Sequence, residues 1–208
     1  MAILQMRLGK CEDINKVITG LEEHAKEFNR TNYAVAASLL TPSLALIVSR
    51  YESLETSQKH KSENSGLQEK VGKFEIIDNG YWTPNFTNDA NRKIKSNYLV
   101  MMELELVIGS ESETSSLAKA WFEKYGEQLA EHNIQTWNLR KIAGIGINKL
   151  RVGHVFPTLS QAEKFLAMGE LPIKESEASL HKELNNKFRN YVKNVSRGIF
   201  EIKTHFAE

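Results

Sequence analysis

Apolar and polar residues alternate along residues 2–8, with Ala2, Leu4, Met6 and Leu8 on one side and Ile3, Gln5 and Arg7 on the other. A period of two marks a half-buried strand, and Gly9 ends it. From Glu12 the period changes. Ile14, Val17, Ile18, Leu21, Ala25 and Phe28 recur at helical spacing, and Glu12 and Asp13 stand where the N-terminal helix dipole favours negative charge. Two β-rich runs, residues 33–40 and 44–51, flank Thr41, Pro42 and Ser43, a turn signal that predicts an antiparallel hairpin. A polar helix is expected over residues 53–70 and a short closing strand over 74–77.

This β-α-β-β-α-β order recurs in the second half. Gly9 matches Gly109 at an offset of 100, which lays Leu4, Met6 and Leu8 over Leu104, Leu106 and Ile108. Asn29 and Tyr33 match Asn133 and Trp137 at 104, and Ile47, Tyr51, Ser53 and Leu54 match Val152, Phe156, Thr158 and Leu159 at 105. Phe74, Glu75 and Ile76 match Phe200, Glu201 and Ile202 at 126. Offsets that change only where loops or helices can lengthen indicate a duplication. The last jump falls in residues 169–197, where Leu180, Leu184, Phe188, Tyr191, Val192 and Val195 predict an extra amphipathic helix, packed through a stripe of Leu180, Leu184, Phe188 and Tyr191. The chain therefore divides into a first repeat (1–78), a linker (79–97) and a second repeat (98–208) with the extra helix near 175–196. The linker carries Tyr81, Trp82 and Phe86, so it is expected to pack on a barrel, the alternative being a tethered surface loop.

A four-stranded antiparallel sheet with both helices on one face leaves its other face to be covered by a second sheet. The expected fold is α+β: two tandem repeats pairing their antiparallel sheets into an intramolecular α+β barrel. The run from Tyr51 through Glu52, Ser53 and Leu54 to His60 and Glu63 carries an aromatic at the end of the third strand, a short acidic turn, and a histidine nine residues after the aromatic. This run resembles the signature of the antibiotic-biosynthesis-monooxygenase branch of the dimeric α+β barrel superfamily, whose repeats are ferredoxin-like. In the second repeat Phe165 stands where that histidine would be.

Composition narrows the function classes. Twenty-seven basic and 26 acidic residues among 208 leave a net charge of +1, which offers no field for nucleic acid or an anionic membrane. The N-terminal sequence lacks a signal-peptide pattern and no run is apolar enough for a membrane span, so a cytoplasmic protein is expected. The single cysteine, Cys11, fits a reducing compartment.

His60 is the candidate catalytic residue, since a helix-borne imidazole at a barrel mouth shuttles protons near neutral pH; the strong structural alternative, in so polar a run, is a solvated face. If Leu4, Met6 and Leu8 face the helices, Gln5 and Arg7, and in the second repeat Glu103 and Glu105, point into the space between the sheets. Arg7, Tyr51, His60, Glu103 and Glu105 are then the candidate ligand-binding residues, and pairing of Arg7 with Glu103 or Glu105 is the structural alternative. His154 shares an apolar face with Leu150, Val152 and Phe156 and is expected to be a hydrogen-bonded core histidine. His181 and His205 are expected at the surface, and Gly144 to Lys149 as a hairpin turn rather than a phosphate loop.

No metal and no cofactor are expected, and a homo-oligomer is compatible with the pattern. The resemblance implies a small-molecule-binding protein, in its enzymatic form a cofactor-independent monooxygenase acting on an aromatic or polyketide-like substrate. The alternative is a non-catalytic binding or assembly module whose barrel is filled by its own side chains.

Overall fold

The computed structural model describes residues 2–28, 32–60, 67–88, 97–144 and 148–204. The elements are β1 (Ile3–Cys11), α1 (Ile14–Glu27), β2 (Tyr33–Ser38), β3 (Leu44–Tyr51), α2 (Leu54–Lys59), α3 (Leu67–Val71), β4 (Phe74–Thr87), β5 (Tyr98–Leu106), α4 (Glu111–Glu131), β6 (Gln135–Ala143), β7 (Lys149–Phe156), α5 (Leu159–Met168), α6 (Ala178–Arg189) and β8 (Val192–Thr204). The α+β class is as expected. The strands follow one another in the order β1-β3-β2-β8-β5-β7-β6-β4, and this hydrogen-bonded ladder closes as an antiparallel barrel.

Two compact units share the chain. The first comprises Met1–Thr83 with Ile142–Ile145 and Phe200–Glu208, the second Pro84–Lys141 with Gly146–Ile199.

In the first unit, the Asp13 side chain accepts the Asn15 N–H at 2.8 Å and starts α1. Val17 and Leu21 of this helix pack with Leu67 and Val71 of α3 on Val35, Ala45, Ile47 and Phe74 of the sheet. Burying each such aliphatic side chain contributes about 1.5–3 kcal/mol. The single polar helix expected over 53–70 is instead two short helices, and 61–66 lie outside the described residues. Strand β4 runs to Thr87, so Tyr81, Trp82 and Phe86 are strand residues.

The face assigned to β1 is the reverse of the expectation. Arg7 pairs with Ile47, and Gln5 with Ser49, so these two polar residues share the face of Ile47, toward α1 and α3, while Leu4, Met6 and Leu8 take the opposite face. Two glycines with different structural roles explain the inversion. Gly9 does not end its strand; it lies inside it, and a Cβ there would stand 2.6 Å from the Phe74 ring and 2.7 Å from the Glu75 carbonyl oxygen. Gly109 sits in a turn at φ 85°, where glycine serves backbone conformation instead. Matching the two glycines slid the strands by an odd number of residues, and an odd slip turns a strand over.

In the second unit, Val100 packs with Leu129 of α4 and with Ala162 and Phe165 of α5, so Met102 and Leu104 also face the helices and Glu103 and Glu105 face away, as expected. Strand β5 ends at Leu106, and Ile108 is 78% exposed rather than part of the stripe. The extra helix is real but ends at Arg189, with Tyr191 beyond it and Val192 and Val195 in β8. None of its residues is fully buried, and Leu180 is 41% exposed.

Strand register gives the true correspondence between units. Ile47 pairs with Arg7 and Val35, and Val152 with Met102 and Asn138. Arg7 therefore corresponds to Met102, Gln5 to Val100, Val35 to Asn138 and Ser49 to His154. The matches of Tyr51 with Phe156 and of His60 with Phe165 are unchanged. Asn29, His205 and the turn centred on 145–147 lie outside the described residues.

Candidate functional site

The first unit gathers three of the sequence-derived candidates. The Arg7 Nη2 donates to Gln5 Oε1 at 3.0 Å, and the Tyr51 hydroxyl donates to the same oxygen at 3.4 Å. Gln5 Nε2 in turn donates to Asn79 Oδ1 at 3.1 Å. His60 caps the end of α2 and meets Tyr51 edge-on, with ring centroids 6.0 Å apart. Ser57 of α2 donates to the Tyr81 hydroxyl at 2.9 Å. Arg7, Gln5 and Tyr51 are buried and His60 is half-buried. This is a polar cluster between sheet and helices, and its groups bond one another.

The other two candidates lie in the second unit. Lys149 donates to Glu103 Oε1 at 2.5 Å and Arg151 donates to Glu103 Oε2 at 2.7 Å, so both carboxylate oxygens are engaged locally. Burial alone would raise the Glu103 carboxyl; the hydrogen bonds and charges of Lys149 and Arg151 outweigh it and hold the group below the usual carboxylate range. Arg151 itself is 1% exposed, among the most buried side chains described. Glu105, opposite Lys149, is half-buried on the same face.

The second unit also holds a cavity of about 430 Å³ between the sheet and its helices. Its sheet side is built from Met102 and Leu104 of β5, Asn138 of β6, and Val152 and His154 of β7. Trp121 and Phe122 of α4 and Phe165 of α5 form walls, and α6 adds His181, Leu184, Asn185 and Phe188. The space exists because the apolar stripe of α6 meets the sheet only at one end, where Phe188 packs with Leu104, Leu106 and Leu150. That is also why no α6 residue is fully buried.

His154 sits within this aromatic enclosure, its ring centroid 4.6 Å from that of Phe165 and 6.0 Å from that of Trp121. His181 stacks edge-on against Tyr125 at 5.2 Å, so it lines the cavity instead of lying on the surface as expected. Burial, and after it the neighbouring His181, push the His154 imidazole down to about 3, so the ring is neutral. Its Nδ1 and the Asn138 Oδ1 are buried with no hydrogen-bond partner among the described residues. The expectation of a hydrogen-bonded core histidine is therefore corrected at this atom. On adjacent strands, with Thr136 opposite His154 and Asn138 opposite Val152, the two residues are diagonal neighbours on the helix-facing side.

The loop leading into α6 is tied to α4. Lys124 pairs with the Glu177 carboxylate at 2.7 Å, Gln128 Nε2 donates to it at 2.6 Å, and the Tyr125 hydroxyl donates to the Glu177 carbonyl at 3.3 Å. Among the described residues, no three His, Cys, Asp or Glu side chains converge as metal ligands would, and no helix is long and apolar enough to cross a membrane.

No family model and no curated protein matches the chain. Solved structures do. An anthrone oxidase-like protein aligns over 98% of this chain and 92% of its own at 13% identity, with a TM-score of 0.64. A candidate monooxygenase from Lactobacillus acidophilus NCFM aligns over 98% and 94% at 12% identity, with a TM-score of 0.69. A chlorite dismutase variant from Candidatus Nitrospira defluvii aligns over 98% and 91% at 8% identity, with a TM-score of 0.56. At these identities the likeness is one of fold: the chain shares the α+β barrel architecture of these proteins.

Proposed function

We propose that this chain is a small-molecule-binding protein whose ligand occupies the cavity of the second unit. The observation that carries the reading is that two residues lining the cavity, Asn138 and His154, each hold a buried side-chain polar atom, Oδ1 and Nδ1, with no hydrogen-bond partner among the described residues. Leaving a buried polar group unsatisfied costs about 1–3 kcal/mol, which a ligand hydroxyl or N–H would recover. The aromatic walls suit a ring system, and a few convergent polar groups in an apolar cavity are the usual make-up of a ligand site. In this reading the Gln5-Arg7-Tyr51 cluster, with His60 beside it, fills the corresponding space of the first unit with protein groups. Glu103 serves the fold through Arg151 and Lys149.

The catalytic form of the proposal is a cofactor-independent monooxygenase on an aromatic or polyketide-like substrate. An activated methylene between aromatic rings becomes a ketone: one atom of O₂ stays in the product and the other leaves as water with both methylene hydrogens. The substrate supplies the electrons, so the protein has to bind, orient and exclude water. The neutral His154 imidazole favours this reading, because it can accept a hydrogen bond from a substrate hydroxyl without introducing charge.

Titration calorimetry with anthrone, run beside an oxygen electrode, tests both levels. Binding that is lost in Ala118→Phe, which fills the cavity, and weakened in Asn138→Leu supports the site; binding indifferent to both removes it. Binding accompanied by protein-dependent oxygen uptake supports the enzyme. Binding without uptake of oxygen favours the non-catalytic module.

A further inference from the structure

We infer that the ligand of this cavity is an amphipathic organic anion, an apolar ring-containing body carrying one acidic group that stays at the opening. The inference rests on the reading of the cavity as a ligand site, and deepens it by naming the ligand's charge. The carrying observation is the one-sided ionic make-up of the lining. Lys182 and Arg189 of α6 and Arg197 of β8 border the cavity, and among the described residues no aspartate or glutamate does.

These three cations are exposed, whereas Asn138 and His154 are 2% and 3% exposed, so the cavity is graded from a cationic entrance to a neutral polar end. Among the described residues no ion pair involves Lys182, Arg189 or Arg197. The nearest acidic residue along α6, Glu183, is committed to Lys187 at 2.6 Å. Three like charges around one opening raise the local concentration of anions. A wholly neutral ligand would use the aromatic walls and leave the cations idle.

The same grading fixes how an anion would sit. Burying an ionised acid among Met102, Trp121 and Phe165 would carry a large desolvation cost, and among the described residues no cation lines the inner end to offset it. Held at the entrance, the acid keeps part of its hydration and receives charge-assisted hydrogen bonds from guanidinium groups, whose planar fork matches an oxyanion. The apolar body then extends inward to Asn138 and His154, where a hydroxyl or N–H finds its acceptors.

Two fluorescent probes with the same ring skeleton test this: 1-anilinonaphthalene-8-sulfonate, which is anionic, and N-phenyl-1-naphthylamine, which is neutral. On the wild-type chain the anion is expected to bind about tenfold or more tightly than the neutral probe, in keeping with charge-assisted bonds. In Arg189→Gln/Arg197→Gln, where both replaced side chains are exposed, the gap should shrink to about threefold or less while the neutral probe is unchanged. Raising sodium chloride from about 50 mM to about 500 mM on the wild type should weaken only the anion, because solvent-exposed charges are screened.

Equal affinity of the two probes for the wild type, or a gap that survives both the double substitution and high salt, overturns the anion inference and leaves the cavity reading standing. Failure of both probes to bind, or binding that persists in Ala118→Phe, overturns the cavity reading and the inference together.

Discussion

Met102 occupies in the second unit the place that Arg7 holds in the first, each opposite the equivalent residue of the neighbouring strand and each facing the helices. Around Arg7 the space is taken by a hydrogen-bonded cluster; around Met102 it is a cavity. Polarity has been exchanged between sheet positions, since Val100 replaces Gln5, while Asn138 and His154 replace Val35 and Ser49. Arg7→Met should therefore cost little stability, within about 1–2 kcal/mol, because apolar replacement of a buried charged group is often near neutral. Anthrone or probe binding in the second unit should not change. Thermal melts and titrations check both, and a loss of binding in Arg7→Met would move the site to the first unit.

Glu103→Gln should be far more damaging. The change removes the carboxylate from Arg151, whose side chain is 1% exposed, and from Lys149. Breaking a buried pair from one side costs about 3–5 kcal/mol, and Glu103 lies near the boundary, so about 3 kcal/mol is expected in urea unfolding. A change below about 1 kcal/mol would show that the pair is solvated.

His154 gives the chain a pH dependence whose sign follows from its depressed pKa of about 3 against an ordinary 6.5. Below 6.5 the unfolded imidazole takes up a proton that the folded one refuses, so the unfolded state binds more protons and stability falls as pH falls, over the window from 6.5 to about 3. The contribution has a slope of up to about 1.4 kcal/mol per pH unit. Urea midpoints of wild type should drop between pH 6.5 and 4.5 more steeply than those of His154→Phe. Parallel curves would mean that His154 titrates normally.

Gly153 lies beneath an indole. A Cβ on it would be 2.0 Å from Cζ2 of Trp137, its cross-strand partner. Gly153→Ala should lower stability by about 2 kcal/mol or more through overpacking. Adding Trp137→Leu should return part of that loss, because the two changes share one contact. Additive losses in the double variant would place the strain elsewhere.

The duplication, the α+β class and the presence of an extra helix could be read from periodicity, because strands and helices repeat with distinct periods. Strand faces could not be read so simply. In β1 both faces carry apolar residues, so alternation alone directs Gln5 and Arg7 into the space between the sheets, whereas the register turns them toward the helices, where Gln5 bonds Asn79, Tyr51 and Arg7. Tyr33 and Trp137 looked equivalent as aromatics, yet register makes Thr136 the counterpart of Tyr33, one residue away and on the other face. The cavity was hidden for a similar reason. The apolar surroundings of His154 in sequence signal burial, and only the gap under α6 turns burial into a cavity wall. The exchange of His60 for Phe165 is the difference between the two repeats that the sequence displays at this position.

Strand β8 pairs Thr204, Ile202, Glu201 and Phe200 with Val35, Ala36, Ala37 and Ser38 of β2. During synthesis β2 leaves the ribosome about 160 residues before its neighbour, and at roughly 5–20 residues per second it waits some ten to thirty seconds with a bare edge. Its open N–H and C=O groups are then available to any passing strand. Chaperone demand should accordingly peak early in translation, and a ribosome stalled before residue 200 would carry an adhesive nascent chain.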